Sequence, residues 1–264
     1  MTKPLSVPRD VKLMNLTASI LLLAFALLLV LALAYWAVQH QVFAIRAITV
    51  TGDVSHNNAV TLRANVAPRL SGTFLTLNLT AARRAFEAVP WVRRAVVRRE
   101  FPNRLKVQLQ EQAAVAYWGA EGESRLVNSF GEVFEANVDE VDQEGLPRLS
   151  GPDEQAAQVL ASYQLLQPLF EALDLTLEQV ELSPRGGWRV RLDTGAVIEL
   201  GTGQMPEVLA RTQRFLETLT QVTARYARKP EAMETADLRY ENGYAIRLRG
   251  VTTLAQAGAE KVMR

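Results

Sequence analysis

From Leu13 to Val38 no side chain carries a charge, and leucine, alanine and valine dominate the run. At about 1.5 Å rise per residue, roughly 20 residues cross the hydrocarbon core of a bilayer as a helix. This run does so with margin. A surface helix of a soluble protein keeps a charged or polar face, whereas no charge stands on any face here and nothing polar interrupts Ile20 to Ala34. Tyr35 and Trp36 stand near its far end, where amphipathic rings favour the headgroup level. The tripeptide Ala32-Leu33-Ala34 offers a signal-peptidase site as an alternative. A signal's apolar region, however, runs about 7–15 residues, and Leu16 to Ala34 is longer without a break. A retained anchor is the expectation.

Lys3, Arg9 and Lys12 precede the run against Asp10 alone, and the first arginine after it is Arg46. Positive charge beside a membrane helix tends to stay cytoplasmic. Residues 1–12 therefore read as a cytoplasmic leader and 13–38 as a transmembrane helix. The remainder is exported, which in a bacterium means the periplasm.

The chain has no cysteine, which excludes disulfide staples, thiolate metal sites and cysteine nucleophiles. Its exported part must rest on hydrophobic cores, which its length permits. Charge is balanced overall but not along the chain. Arg46 to Glu111 holds eleven Arg/Lys against four Asp/Glu, and Gln112 to Glu154 holds two against ten. A basic first domain followed by an acidic connecting region is implied.

Within 43–112 the pattern predicts strand, helix, helix, strand, strand. Phe43 to Val50 alternates as a strand, and Gly52-Asp53 turns. Ser55 or Asn57 opens a helix to about Ala67, stopped by Pro68. Asn78 or Thr80 caps a second helix, Ala81 to Val89, ended by Pro90. Trp91 to Phe101 is a strand with one solvated side. After the turn Phe101-Pro102-Asn103, Leu105, Val107 and Leu109 alternate with Lys106, Gln108 and Gln110 in an amphipathic strand.

A second domain follows over 113–250. Short strands are predicted at Ala114–Trp118, Arg125–Val127 and Val133–Phe134, in an all-antiparallel arrangement. Asp139 to Pro152 reads as loop, and Asp153 as the cap of a helix to about Leu173 that is kinked or ended near Pro168. Strands begin at Val180–Leu182, Trp188–Leu192 and Val197–Leu200, and Pro206 opens a helix at a first-turn position. Leu238-Arg239-Tyr240, the turn Glu241-Asn242-Gly243 and Tyr244–Arg249 form a hairpin with a favoured Asn-Gly signal. Residues 251–264 read as a flexible tail.

Catalytic patterns are hard to find. Of two histidines, His40 flanks the membrane and His56 starts a helix, so they make no metal pair. Gly201-Thr202-Gly203 precedes a helix but lacks the Gly-Lys-Ser/Thr that would complete a phosphate loop. No G-x-S-x-G elbow occurs. Lys106, Lys229 and Lys261 lack the apolar setting that a nucleophilic or basic lysine needs. An enzyme is not expected, nor a cofactor or metal. Arg83, Arg84, Arg93, Arg94, Arg98 and Arg99 lack the interleaved aromatics of single-strand nucleic-acid binders. A solvated basic face, attraction to anionic headgroups or steering of an acidic partner are the open readings.

The run VPWVRRAVVRREFPNRLKVQLQEQAAVAYW (Val89 to Trp118) resembles a POTRA module, which has the same element order. With the single membrane helix, LVNSFGEVFE (Leu126 to Glu135) and DLRYENGYAIRLR (Asp237 to Arg249), the chain is similar to the FtsQ/DivIB family of bacterial cell-division proteins. The resemblance implies an α+β protein: transmembrane helix, POTRA domain (β-α-α-β-β), then an antiparallel-sheet β domain with flanking helices. It also implies a non-catalytic, bitopic scaffold at the division septum that binds FtsB- and FtsL-like membrane proteins and links early to late division proteins. Further divisome members would be met through the POTRA domain. Arg239 and Tyr240 match the family's Arg-Tyr, and Asn242 and Gly243 its small turn positions. Arg185 corresponds to an arginine before the Trp strand, and Leu248 stands where an aromatic is expected. Such a site would act by strand addition at the last hairpin, with Tyr240 as anchor. Tyr240 as ordinary core and the arginines as solvent face is the competing reading. A POTRA-type assembly or secretion factor that binds unfolded client chains is the alternative function.

Overall fold

The structure, a computed structural model, describes residues 9–39, 43–52, 54–57, 59–141 and 145–252. Most of the leader, His40, Asp53 and all but two residues of the tail lie outside these. Helix α1 runs Arg9–Gln39. Its span Leu13–Trp36 is long and apolar enough to cross a membrane, and none of it is buried against the protein. That fits a single-pass anchor.

The chain divides into two compact units at Glu111/Gln112. In the first, β1 (Ala47–Gly52), α2 (Ala59–Val66), α3 (Leu79–Glu87), β2 (Val92–Glu100) and β3 (Arg104–Glu111) follow the expected order. The sheet runs β1-β3-β2, with β1 parallel and β2 antiparallel to β3. Leu105, Val107 and Leu109 are buried while Arg104, Lys106, Gln108 and Gln110 are exposed, the period-two pattern read from the sequence. On β2 the buried residues Val92 and Ala95 are three apart. A register shift between Val92 and Arg94 accounts for this, because one extra residue in a bulge flips the side-chain phase. Leu62, Val66, Phe86 and Val89 complete the core.

Asn78 caps α3, its side chain accepting from Thr80 N and Ala81 N. At the turn before α2 the work falls to Glu111, at the end of β3. Its carboxylate accepts from the backbone N–H of Ser55 (2.9 Å), His56 (3.0 Å) and Asn57 (3.0 Å), and from the Asn57 amide (3.1 Å). Burial alone pushes this carboxyl up, but these bonds and the His56 ring outweigh it and hold it below the usual carboxylate range. His56 also stacks on Trp91, with ring centroids 4.0 Å apart.

The second unit holds β4 (Ala114–Trp118), β5 (Arg125–Asn128), β6 (Val133–Glu135), β7 (Arg148–Ser150), α4 (Ala156–Glu171), β8 (Leu177–Leu182), β9 (Trp188–Leu192), β10 (Val197–Gly201), α5 (Met205–Ala224), β11 (Met233–Asp237) and β12 (Ala245–Leu248). They form one nine-stranded sheet in the order β12-β11-β10-β9-β8-β7-β4-β5-β6. The α+β class, with helices flanking a sheet, stands. The three short strands β4, β5 and β6 pair antiparallel as expected, but the sheet as a whole is mixed: β4–β7, β7–β8 and β10–β11 pair in parallel. The first of these pairs follows from β7, a strand inside the stretch read as loop. The last follows from α5, a crossover helix of the kind parallel neighbours need.

Both helices pack on each other, α4 also on β7 and β8, and α5 on β10. Val159, Leu166, Phe170, Val208, Phe215 and Leu219 meet Val180, Val190, Leu192, Ile198 and Leu200 in the core. The opposite face is polar, with Arg189 bridging Glu199 (2.7 Å) and Glu181 (3.5 Å) across three strands. Asp153 does not cap α4, whose N-cap is Gln155. Its carboxylate instead accepts from the Trp118 indole at 2.8 Å and pairs with Arg125 at 2.6 Å. Pro168 sits inside α4, which continues to Glu171.

Candidate functional site

The last hairpin builds the candidate site. Strand β11 begins at the buried Met233 and ends at Asp237. There Leu238, 1% exposed, sinks into the core while its N–H donates to Glu199 O at 2.8 Å. Seven residues, 238–244, separate β11 from β12, so the two strands pair as expected but not through a tight Asn-Gly turn. Neither Asn242 nor Gly243 takes the positive φ that a two-residue hairpin turn requires.

Arg239 grips Asp237 through two hydrogen bonds, Nε to Oδ1 at 2.9 Å and Nη2 to Oδ2 at 2.6 Å. That pairing holds the Asp237 carboxyl below the ordinary range. Tyr240 is 59% exposed, which removes the reading that it is ordinary core. Glu241, Asn242 and Gly243 are exposed beside it. The loop is fastened by a residue the sequence reading passed over. Tyr244 packs edge-on against Phe215 of α5, centroids 4.8 Å apart, and its hydroxyl lies 2.8 Å from Thr218 Oγ1. An aromatic directly after Asn-Gly, matched to Phe215 and Thr218 three residues apart on one helix face, was the available signal.

Between this loop and α5 lies a shallow cavity of about 360 Å³, with Arg211, Arg214 and Tyr240 on its walls. Arg211 donates to Leu200 O and to Thr202 O (3.1 Å), tying α5 to the end of β10. Beyond the loop, β12 pairs with β11 alone among the described residues and forms one edge of the sheet. Its outer backbone groups thus face outward. Arg247 on it is exposed and pairs with Glu234 at 3.0 Å.

Of the six residues read from the sequence, Arg239, Tyr240, Asn242 and Gly243 come together in this loop. Arg185 is exposed in the β8–β9 turn. The pairings Leu182–Trp188, Trp188–Gly201 and Glu199–Asp237 place that turn at the same end of the sheet as the loop. Leu248 differs. It lies at the far end of β12, and its side chain is 5% exposed within the core, so only its backbone is offered at the edge.

An apolar helix that fits a membrane anchor, a POTRA-type βααββ unit and a mixed β domain with an open terminal edge define a POTRA protein. Family models agree: residues 43–112 match "POTRA domain, FtsQ-type" and 116–239 match "Cell division protein FtsQ/DivIB, C-terminal". The chain is 42% identical to cell division protein FtsQ of Burkholderia pseudomallei over 96% of its length and 98% of that protein. It is 40% identical to the Thiomonas arsenitoxydans protein of that name over 94% and 91%, and 34% identical to the Bordetella pertussis one over 90% and 92%. The chain belongs to the FtsQ/DivIB family and is a cell-division protein. The matched C-terminal segment stops at Arg239, so Tyr240 and the whole of β12 lie beyond it.

Proposed function

We propose that this chain is a non-catalytic, bitopic scaffold of the divisome. Its leader is cytoplasmic, its two folded units are periplasmic, and it acts at the septum by binding FtsB- and FtsL-like membrane proteins, so linking early to late division proteins. The observation that carries this reading is the open backbone edge of β12, flanked by the exposed ring of Tyr240 and the guanidinium of Arg239. A partner strand laid along β12 gains main-chain hydrogen bonds, while side-chain pockets set its identity. Tyr240 supplies the aromatic anchor that interfaces concentrate their energy on. Arg185 supplies a fork for an acidic side chain, and Arg239, whose Nε and Nη2 already hold Asp237, adds positive charge and its remaining N–H groups.

Co-purification of FtsB- and FtsL-like partners with the membrane-embedded protein tests this. Tyr240→Ala and Arg239→Glu should each lower recovery, about tenfold for the tyrosine, with the fold intact by circular dichroism. Unchanged recovery by both variants rules the site out.

A second reading, client-chain binding by the first unit, draws on one specific feature. A cavity of about 770 Å³ lies between the open edge of β1 and α2, lined by apolar residues including Ile48, Val60, Leu62 and Leu70. Site-specific photocrosslinking in cells from Thr49 and from Arg247 separates the two: division proteins captured at Arg247 support the scaffold, and unfolded outer-membrane chains at Thr49 the alternative.

A further inference from the structure

The first unit's sheet has two ends, and one is tied to the chain emerging from the membrane. Arg46 N–H donates to Asn103 O at 3.0 Å, and Ala47 pairs with Arg104, so the β2–β3 turn sits at the start of β1. Phe74 N–H donates to Phe43 O at 2.7 Å, which brings the 72–77 loop to the same place. Arg99 fastens that loop to β2, donating to Phe74 O (2.6 Å), Leu77 O (2.7 Å) and Leu75 O (3.4 Å).

The rim so assembled is apolar at its tip and basic around it. Phe101 is 84% exposed and Leu75 46%. Arg46, Arg98, Arg104 and Lys106 are exposed beside them. Arg98 stands directly opposite Lys106 in the antiparallel ladder, a like-charge pairing that destabilises a sheet. Glu100, opposite Arg104, makes no ion pair among the described residues. Folding alone therefore explains neither the exposed ring nor the facing cations.

The tether explains both. From the end of α1 at Gln39 to Arg46 there are only seven residues, and a chain spans at most about 3.5 Å per residue. The rim cannot stand more than about 25 Å from the end of the anchor helix. We infer that this rim docks on the bilayer that α1 crosses, with Phe101 and Leu75 entering the interface and Arg46, Arg98 and Arg104 on anionic lipid headgroups. Apolar side chains ringed by basic ones are the composition that holds a surface to an anionic membrane. Docked in this way, the first unit is held by two attachments, helix and rim, and its orientation to the membrane is fixed.

The full-length protein in lipid nanodiscs provides the test. The chain has no cysteine, so Leu75→Cys carries a single environment-sensitive fluorophore, and Gln110→Cys, at the other end of the sheet, serves as control. In discs of phosphatidylcholine mixed equally with phosphatidylglycerol, the label at 75 should shift to the blue and be quenched by nitroxides on the acyl chains, while the label at 110 stays in water. Phe101→Ser should weaken the quenching, as should discs of phosphatidylcholine alone. Reversing Arg46, Arg98 and Arg104 to glutamate should cut the docked-to-undocked ratio at least roughly fivefold per residue. Docking requires α1 to span the bilayer, and retention of every variant in the discs checks that separately. A label at 75 as wet as the one at 110 overturns the proposal and leaves the rim to a protein partner; quenching indifferent to charge reversal overturns it equally.

Discussion

The buried indole of Trp118 donates to the Asp153 carboxylate at 2.8 Å, and the same carboxylate receives Arg125 at 2.6 Å. One acid thereby joins β4, β5 and the approach to α4. The arginine bond first, then the indole, holds the Asp153 carboxyl below its ordinary range. Its contribution is therefore present above the unfolded pKa of about 4 and lost as pH falls through the lower folded value. Asp153→Ala should lower the melting temperature of the second unit at neutral pH. The loss should shrink in a Trp118→Phe background, because the orphaned donor is then gone. Thermal melts of the four proteins of that cycle measure the coupling directly.

Glu111 plays the corresponding part in the first unit. Its side chain is 5% exposed and takes three backbone N–H groups of the turn before α2. Glu111→Ala leaves those donors without their acceptor and should cost about 3 kcal/mol, seen as a lower urea midpoint for this unit. Its folded pKa is also lowered, so the wild-type advantage should fade as pH drops below the ordinary glutamate value of about 4.3. The variant, lacking the group, should show a flatter acid limb. Equal acid limbs would remove Glu111 as the cause.

The sequence carried most of the first unit because each element there is set locally. Asn78 caps α3, Pro68 and Pro90 follow helices, and 104–111 alternates cleanly. The second unit was less legible for definite reasons. Strand β7 is three residues, Arg148–Ser150, with one buried side chain, too short for a period to register against its Gly- and Pro-rich surroundings. Parallel pairing leaves no mark in a strand's own alternation, so β4–β7, β7–β8 and β10–β11 follow only from topology. Asp153 looked like a helix cap because a carboxylate before a helix usually is one; the long-range Trp118 and Arg125 claimed it. At the candidate site, Arg239 and Tyr240 were visible as residue types. The burial of Leu248 and the anchoring of Tyr244 to α5 depend on tertiary packing.

Gly201 illustrates how closely the loop is built onto the sheet. It has φ of +86°, and a methyl group there would press on the Arg211 guanidinium and, at 3.2 Å, on the Arg239 side chain. A non-glycine residue in the left-handed region costs about 1–3 kcal/mol. Gly201→Ala should destabilise by that order and, by displacing Arg239, should weaken partner recovery more than the stability loss accounts for. Binding measured well below the melting temperature distinguishes the two effects.

Leu248 and Arg247 are neighbours on β12 that should fail in opposite ways. Leu248 is 5% exposed in the core, so Leu248→Ala should cost about 2–4 kcal/mol through the cavity it leaves. Its effect on binding should come through fraying of the edge strand and should recede on cooling. Arg247 is exposed, and its pair with Glu234 is a surface one, worth at most about 1 kcal/mol. Arg247→Glu should leave the melting temperature nearly unchanged while placing a negative charge on the open edge, where an added strand would lie. If β12 receives a partner strand, Arg247→Glu lowers recovery at all temperatures with the fold intact. If β12 is only a structural edge, Leu248→Ala alone reduces recovery, in proportion to unfolding. Pull-downs at two temperatures beside thermal melts decide between them.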